Sequence, residues 1–132
     1  MNPNIFREYD IRGVYPTEIN ETVAYTIGKS YGSYLQEKLN QTTCIVSYDN
    51  RVSSPSLAAY LTKGITDSGL NVYNYGLTTT PMHYYARFIH NLFGIMITAS
   101  HNPKDDNGFK FSFDTLANAR GEMIEDFKKY TL

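Results

Sequence analysis

Tryptophan is absent and cysteine occurs once, at Cys44. A lone cysteine has no partner within the chain, which excludes an internal disulfide framework and makes a reducing cytoplasm the expected home. Cys44 opens an apolar strand and reads as a small buried hydrophobe rather than a nucleophile. Charge of either sign is equally scarce. Twelve Lys and Arg against thirteen Asp and Glu leave a net −1, which supplies neither the basic field that nucleic acid attracts nor a polybasic face for an anionic membrane. No apolar run approaches the ~18 residues of a membrane-spanning helix, and the opening residues carry no signal-peptide h-region. The twelve tyrosines are scattered rather than arranged as a stacking platform for single strands. Internal repeats and low-complexity linkers are missing. So is a Gly-x-Ser-x-Gly elbow, which removes most support for ordinary serine hydrolase chemistry.

What is present describes one compact domain. A chain of 132 residues with 42% apolar content buries about two-thirds of its unfolded surface by size scaling. Asn20 is a predicted N-cap for a helix to about Leu39, with Val23, Ile27, Tyr31, Leu35 and Leu39 as its apolar stripe. Ala24, Gly28 and Gly32 lie on a neighbouring face where a backbone could come close. Cys44 to Tyr48 reads as a strand. Ser54-Pro55 then caps a helix whose buried face is Leu57, Leu61 and Ile65, stopped by Gly69. Val72 to Tyr75 is the next strand, and Thr80-Pro81 opens a helix bearing Met82, Tyr85, Ala86 and Ile89. Its His83 and His90 lack metal-ligand spacing and read as surface or packing residues. Strands at Gly94–Ile97 and Phe109–Phe113 and a last helix on Ile124 and Phe127 complete the order. The predicted fold class is α/β, a three-layer α/β/α arrangement with a mostly parallel, mixed four-stranded sheet.

The chemistry concentrates after the Gly94–Ile97 strand, in Thr98-Ala99-Ser100-His101-Asn102-Pro103. A serine and a histidine are thereby presented at the carboxyl end of a core strand, where open α/β sheets bind ligands. Asn107-Gly108-Phe109-Lys110 returns the chain, so Ser100 and Lys110 are expected across one hairpin-like loop. Successive backbone N–H groups in such a turn can form an anion-binding concavity, and a hydroxyl, an imidazole and an ammonium add donors. The alternative is a serine-rich surface turn. Near the start, Arg7, Tyr9, Asp10 and Arg12 crowd into residues 1–19, read either as a solvated arm or as a segment folding back over the cleft. Arg51 follows a strand beside a helix amino terminus, which suits an anion, but an ion pair with Asp49 fits equally.

Thr98-Ala-Ser-His-Asn-Pro103 with Asn107-Gly-Phe-Lys110 resembles the phosphoserine loop of the α-D-phosphohexomutases, the phosphoglucomutase/phosphomannomutase family. Phe6-Arg-Glu-Tyr-Asp-Ile-Arg-Gly13 and Asp49-Asn-Arg-Val-Ser-Ser-Pro55 resemble two further segments of the same family. The resemblance implies that Ser100 carries a phosphoryl group and passes it to a hexose phosphate, by way of a hexose bisphosphate that also serves as activator. It assigns proton handling or leaving-group stabilisation to Lys110, orientation of the phosphate to His101 and Arg12, and substrate or phosphate contacts to Tyr9, Arg12, Arg51 and Asn102. Mg²⁺ would bind Ser100 through its phosphate together with an acidic Asp-x-Asp-x-Asp loop. That loop belongs to a second of four domains, and only the first domain's motifs are found in these 132 residues. An excised first domain, inactive alone, is therefore expected, with the remaining domains of the same polypeptide as its partners. A non-catalytic sugar-phosphate-binding or regulatory module is the other reading.

Overall fold

The computed structural model describes residues 1–100, 102–113 and 121–132. After a short 3₁₀ turn at Pro3–Ile5, the elements are β1 (Ile11–Val14), α1 (Glu21–Leu39), β2 (Thr43–Tyr48), α2 (Ser54–Asp67), β3 (Asn71–Leu77), α3 (Thr80–His90), β4 (Phe93–Ile97), β5 (Asp106–Phe111) and α4 (Glu122–Thr131). They form one sheet in the order β1-β5-β4-β2-β3. β2 pairs parallel with both β3 and β4, whereas β5 runs antiparallel between β4 and β1. Four strands thus share one direction and β5 alone is reversed.

The sheet has five strands rather than the expected four. Residues 1–19 are dense in charge and turn formers, which hid β1. Its alternation is nevertheless that of a strand: Ile11 and Gly13 are buried while Val14 is exposed. Ile11 lies opposite Phe109 and Arg12 opposite Gly108.

α1 forms as its sequence dictates. The Asn20 Oδ1 accepts from the Val23 N–H at 3.0 Å, satisfying one of the amides orphaned at a helix start. Ile27, Tyr31 and Leu35 are fully buried, with Val23 and Leu39 partly so. Each such aliphatic side chain contributes about 1.5–3 kcal/mol by leaving water. The small-residue face meets α2 at backbone contact: a Cβ on Gly28 would lie 2.2 Å from the Leu61 carbonyl oxygen, and one on Gly64 2.2 Å from that of Tyr25. α2 departs from expectation at its start, since the N-cap position falls on Ser53, whose side chain makes no capping bond, while Ser54 is the first helical residue and donates to Asp49 Oδ1 at 2.6 Å. Gly69 does end it, at φ 104°.

The main core packs α1, α2 and α4 against one sheet face. Cys44, Val46, Ile95, Ile97, Phe109 and Phe111 point into it, and Ile124 and Phe127 of α4 seal it. α3 covers the opposite face. Of the apolar residues expected to mark that helix only Ala86 is buried, beside His83 and Arg87, while Met82, Tyr85 and Ile89 are exposed.

Candidate functional site

β2, β3 and β4 end side by side at Tyr48, Leu77 and Ile97, and their loops leave from one edge. Asp49 N–H bonds the Ile97 carbonyl at 3.1 Å and Thr78 N–H bonds that of Tyr48 at 3.0 Å. This carboxyl edge is where a doubly wound sheet opens a crevice. The loop from Thr98 to Asp105 closes by the Thr98 N–H on the Gly108 carbonyl at 2.9 Å and the Asp106 N–H on that of Pro103 at 2.9 Å.

Ser100 is half-buried and has φ 55°, in the left-handed region. The other described non-glycine residues there are Asn40 and Asn91, and both terminate helices. Asparagine tolerates that conformation and serine much less so. The cost is of order 1–3 kcal/mol, and such a residue persists only where its surroundings hold it. Thr98 is one support, its Oγ1 accepting from the Ser100 N–H at 3.0 Å. Ser100 lines a cavity of about 610 Å³ with Asp49, Asn50, Arg51, Val52, Asn102, Lys104 and Asp105.

Arg51 lies against the inner side of the loop. Nη1 donates to the carbonyls of Pro103 at 2.7 Å and Asp106 at 3.1 Å. Nη2 donates to those of Ser100 at 2.8 Å and Asn102 at 3.0 Å. Nε reaches Asp49 Oδ2 at 3.3 Å. A guanidinium has five N–H groups, and each here has a protein acceptor. The ion pair with Asp49 is therefore formed, and the four Nη donors of Arg51 are occupied by loop carbonyls. The expected concavity of amide groups is reversed on this side. Carbonyls converge on a cation, and the amides of Ser100 and Asn102 are used within the loop, the latter on Ala99 O at 3.0 Å.

Arg12 approaches from β1. Its Nε donates to both carboxylate oxygens of buried Asp10, at 3.0 and 3.1 Å, and Nη1 donates to Asn102 Oδ1 at 2.7 Å. The hydrogen bond with Asp10 raises the guanidinium pKa further, against the desolvation that lowers it. Asn102 passes the connection on, its Nδ2 donating to Asp106 Oδ2 at 3.0 Å. Both ends of the Asn102 amide are thus occupied by protein. Ser100, Arg51, Asn102 and Arg12 come together as one unit.

Tyr9 and Lys110 make no side-chain hydrogen bond to that unit among the described residues. Tyr9 is 59% exposed. Lys110 is half-buried in β5 opposite Met96 of β4, and its ammonium has no hydrogen-bond or ion-pair partner among the described residues. His101 lies outside the described residues.

Three supporting residues were given no individual role by the sequence reading, Asp10, Thr98 and Asn107, and Asp49 was foreseen only as an ion-pair partner of Arg51. Asp49 Oδ1 accepts from both the Arg51 N–H at 3.1 Å and the Ser54 hydroxyl. Asn107 is buried, and its Nδ2 donates to Ser53 Oγ at 2.8 Å and Ser54 Oγ at 3.0 Å, tying β5 to the start of α2. Their signal was position, since each sits inside or next to a motif already singled out.

Elsewhere, His83 is a packing residue, its Nδ1 2.6 Å from Ser47 Oγ. Burial first, and the Arg87 charge second, push its pKa down to about 3. Burial pushes the Cys44 thiol up to about 12, which makes it a poor nucleophile. The described residues include no group of three or more His, Cys, Asp or Glu side chains able to hold a metal. On the cavity wall, Ser100, Asp105 and an Asp49 already bonded to Arg51 and Ser54 do not amount to a Mg²⁺ site. No described helix is long and apolar enough to cross a membrane.

Residues 3–129 match the family described as phosphoglucomutase/phosphomannomutase, alpha/beta/alpha domain I. A phosphoglucomutase of Neisseria meningitidis serogroup B is 43% identical over 126 residues, 93% of this chain and 26% of that protein. A phosphomannomutase/phosphoglucomutase of Pseudomonas syringae pv. tomato is 43% identical over 125 residues, 92% of this chain and 27% of that protein. The crystal structure of a phosphoglucomutase/phosphomannomutase family protein from Burkholderia thailandensis superposes with a TM-score of 0.89 at 31% identity, covering 99% of this chain and 30% of that one. The chain spans about a quarter of the length of these curated relatives.

Proposed function

Because the chain belongs to the phosphoglucomutase/phosphomannomutase family, as its α/β/α domain I, we propose that it is the phosphoryl-carrying domain of a hexose phosphate mutase and that Ser100 is the carrier. In the forward step the bond between phosphorus and Ser100 Oγ breaks, Oγ taking up a proton, and a bond forms to a free hydroxyl of a hexose monophosphate, which gives its own proton to a base. The resulting bisphosphate turns over in the cleft. The reverse transfer from its other position restores phosphoserine and releases the isomeric monophosphate. Such transfer depends on positioning and on charge around the phosphoryl oxygens more than on covalent chemistry.

The observation that carries this reading is the backbone of Ser100. Of the described non-glycine residues at positive φ it alone ends no helix, and it faces a cavity wide enough for a sugar phosphate. Strain of this kind collects at reactive positions. Lys110 is the group proposed to donate the proton taken up by the departing oxygen or to stabilise that oxygen, on the strength of its ammonium, which has no partner among the described residues. Arg12 is proposed to orient the phosphate, because Asp10 and Asn102 together leave part of its donor set uncommitted.

Mg²⁺, when bound, would neutralise charge on the transferring group. The described residues do not complete a site for it, so its carboxylates would come from further domains of a longer polypeptide. A hexose bisphosphate is proposed as activator and a reducing compartment as the location, the latter consistent with one buried, unpaired thiol. The test is a coupled mutase assay of a polypeptide in which this domain is joined to the rest of a family-length chain. Conversion of glucose 1-phosphate or mannose 1-phosphate to the 6-phosphate supports the reading. Failure to isomerise either, in folded protein supplied with Mg²⁺ and bisphosphate, rejects it.

A further inference from the structure

The structure assigns Arg51, we propose, to positioning Ser100: the guanidinium acts through the backbone of the loop and never touches substrate. This rests on the mutase reading only for its kinetic consequence. The geometry stands without it. Four carbonyls, from Ser100, Asn102, Pro103 and Asp106, converge on two nitrogens of one side chain at 2.7–3.1 Å. They span the turn on which the serine sits.

The side chain doing this is only 11% exposed and is itself fixed by Asp49, which is held in turn by the Ser54 hydroxyl and the Arg51 amide. A planar fork with five donors in fixed directions can hold several acceptors at once, whereas an ammonium with three rotating donors cannot. Carbonyl dipoles turned toward a cation resist the backbone rotation that would let Ser100 relax to an ordinary φ. Because the Nη2–Ser100 bond is to the carbonyl and not to Oγ, Arg51 holds the backbone without engaging the hydroxyl.

A simple charge partner or a substrate ligand at this position would behave differently. A plain ion pair with Asp49 needs only a cation, and lysine should satisfy it. A direct substrate contact needs free donors, and its loss should weaken substrate binding. Positioning predicts neither, because misplacement of a reacting atom by about 1 Å can cost 10²-fold in rate.

The test uses Arg51→Lys and Arg51→Met in two settings. In this 132-residue chain, amide hydrogen exchange should quicken about tenfold or more at Ser100 and Asn102 in both variants, while Ile95 and Ile97 in β4 exchange as before. In the family-length polypeptide, kcat should fall about 10²-fold with KM for the hexose phosphate within about threefold, and lysine should not restore it. Unchanged exchange at Ser100 and Asn102 in either variant overturns the proposal, as does wild-type kcat in Arg51→Lys. A rise in KM with kcat intact also overturns it and returns Arg51 to substrate binding. If Arg51→Met fails to fold, the lysine variant decides alone. If the wild-type polypeptide does not isomerise hexose phosphates, the mutase reading has failed and the exchange measurement still decides the role of Arg51.

Discussion

Arg12 and Asn102, ninety positions apart in the chain, meet at 2.7 Å from Nη1 to Oδ1. That bond, next to the one from the Tyr15 N–H to the Asp105 carbonyl at 2.9 Å, fastens the first strand to the loop carrying Ser100. It works because Asp10, 1% exposed, fixes the guanidinium from the other side. Arg12→Ala removes both connections and leaves a buried carboxylate without its partner. We expect a loss of about 1–3 kcal/mol, the cost of an unsatisfied buried group, read as a lower urea midpoint for the isolated chain. An unchanged midpoint would mean that Asp10 finds another donor.

The contact of α1 with α2 gives a sharper stability test. Gly28→Ala would place a methyl group 2.2 Å from the Leu61 carbonyl, and the helices must separate to admit it. Overpacking of this kind costs about 1–3 kcal/mol. Gly76→Ala is the control, since nothing lies within 4 Å of its added Cβ and only φ 76° opposes it. There we expect about 1 kcal/mol. Urea melts of the two variants should rank in that order.

Stability should also fall on acidification through His83. Its pKa in the folded chain is pushed down to about 3, whereas the unfolded value is near 6.5. The unfolded chain therefore binds the proton first. The contribution is complete above pH ~6.5 and is lost as pH falls from there toward about 3, by up to ~1.4 kcal/mol per pH unit. In His83→Gln that component vanishes. Between pH 7 and 5 the wild-type chain should lose about 2 kcal/mol more than the variant in denaturant titrations. Equal losses would show that His83 is protonated in the fold.

For Lys110 the expectation is kinetic. Lys110→Met should change stability by less than about 1 kcal/mol, because no hydrogen bond or ion pair among the described residues depends on it. In the family-length polypeptide kcat should drop about 10²-fold or more, as for a group that moves a proton. Unchanged kcat with an intact circular dichroism spectrum would leave Lys110 a surface charge.

The sequence made the scaffold readable because its signals are local. Asn20 caps α1 through a residue three positions away, Gly69 stops α2, and Tyr31 and Leu35 are buried because they recur at helical spacing. Two elements misled for physical reasons. β1 was hidden by the charged stretch before it and by its own Arg12, which serves the loop rather than solvent. α3 turns polar His83 and Arg87 toward the sheet and Tyr85, Phe88 and Ile89 outward, so its periodicity described the wrong face.

At the site, motif spacing brought Ser100, Asn102 and Arg12 into one list, and the fold brings them into one network. Arg51 was legible as a cation near a helix start but not as a clamp. Its partners are backbone carbonyls 49 to 55 positions away, and a carbonyl has no letter in a sequence.

The most direct measurement is the phosphorylation state of Ser100, made together with turnover. The family-length polypeptide is exposed to a hexose bisphosphate, digested and mapped by mass, and the same is done for Ser100→Ala. The expected result is one phosphoryl group on the Ser100 peptide of the wild type that disappears on adding hexose monophosphate. The alanine variant should carry none and turn over several orders of magnitude more slowly, since covalent catalysis loses its carrier. Near-wild-type turnover in Ser100→Ala, or a transferable phosphoryl group on another residue, would contradict the assignment of Ser100.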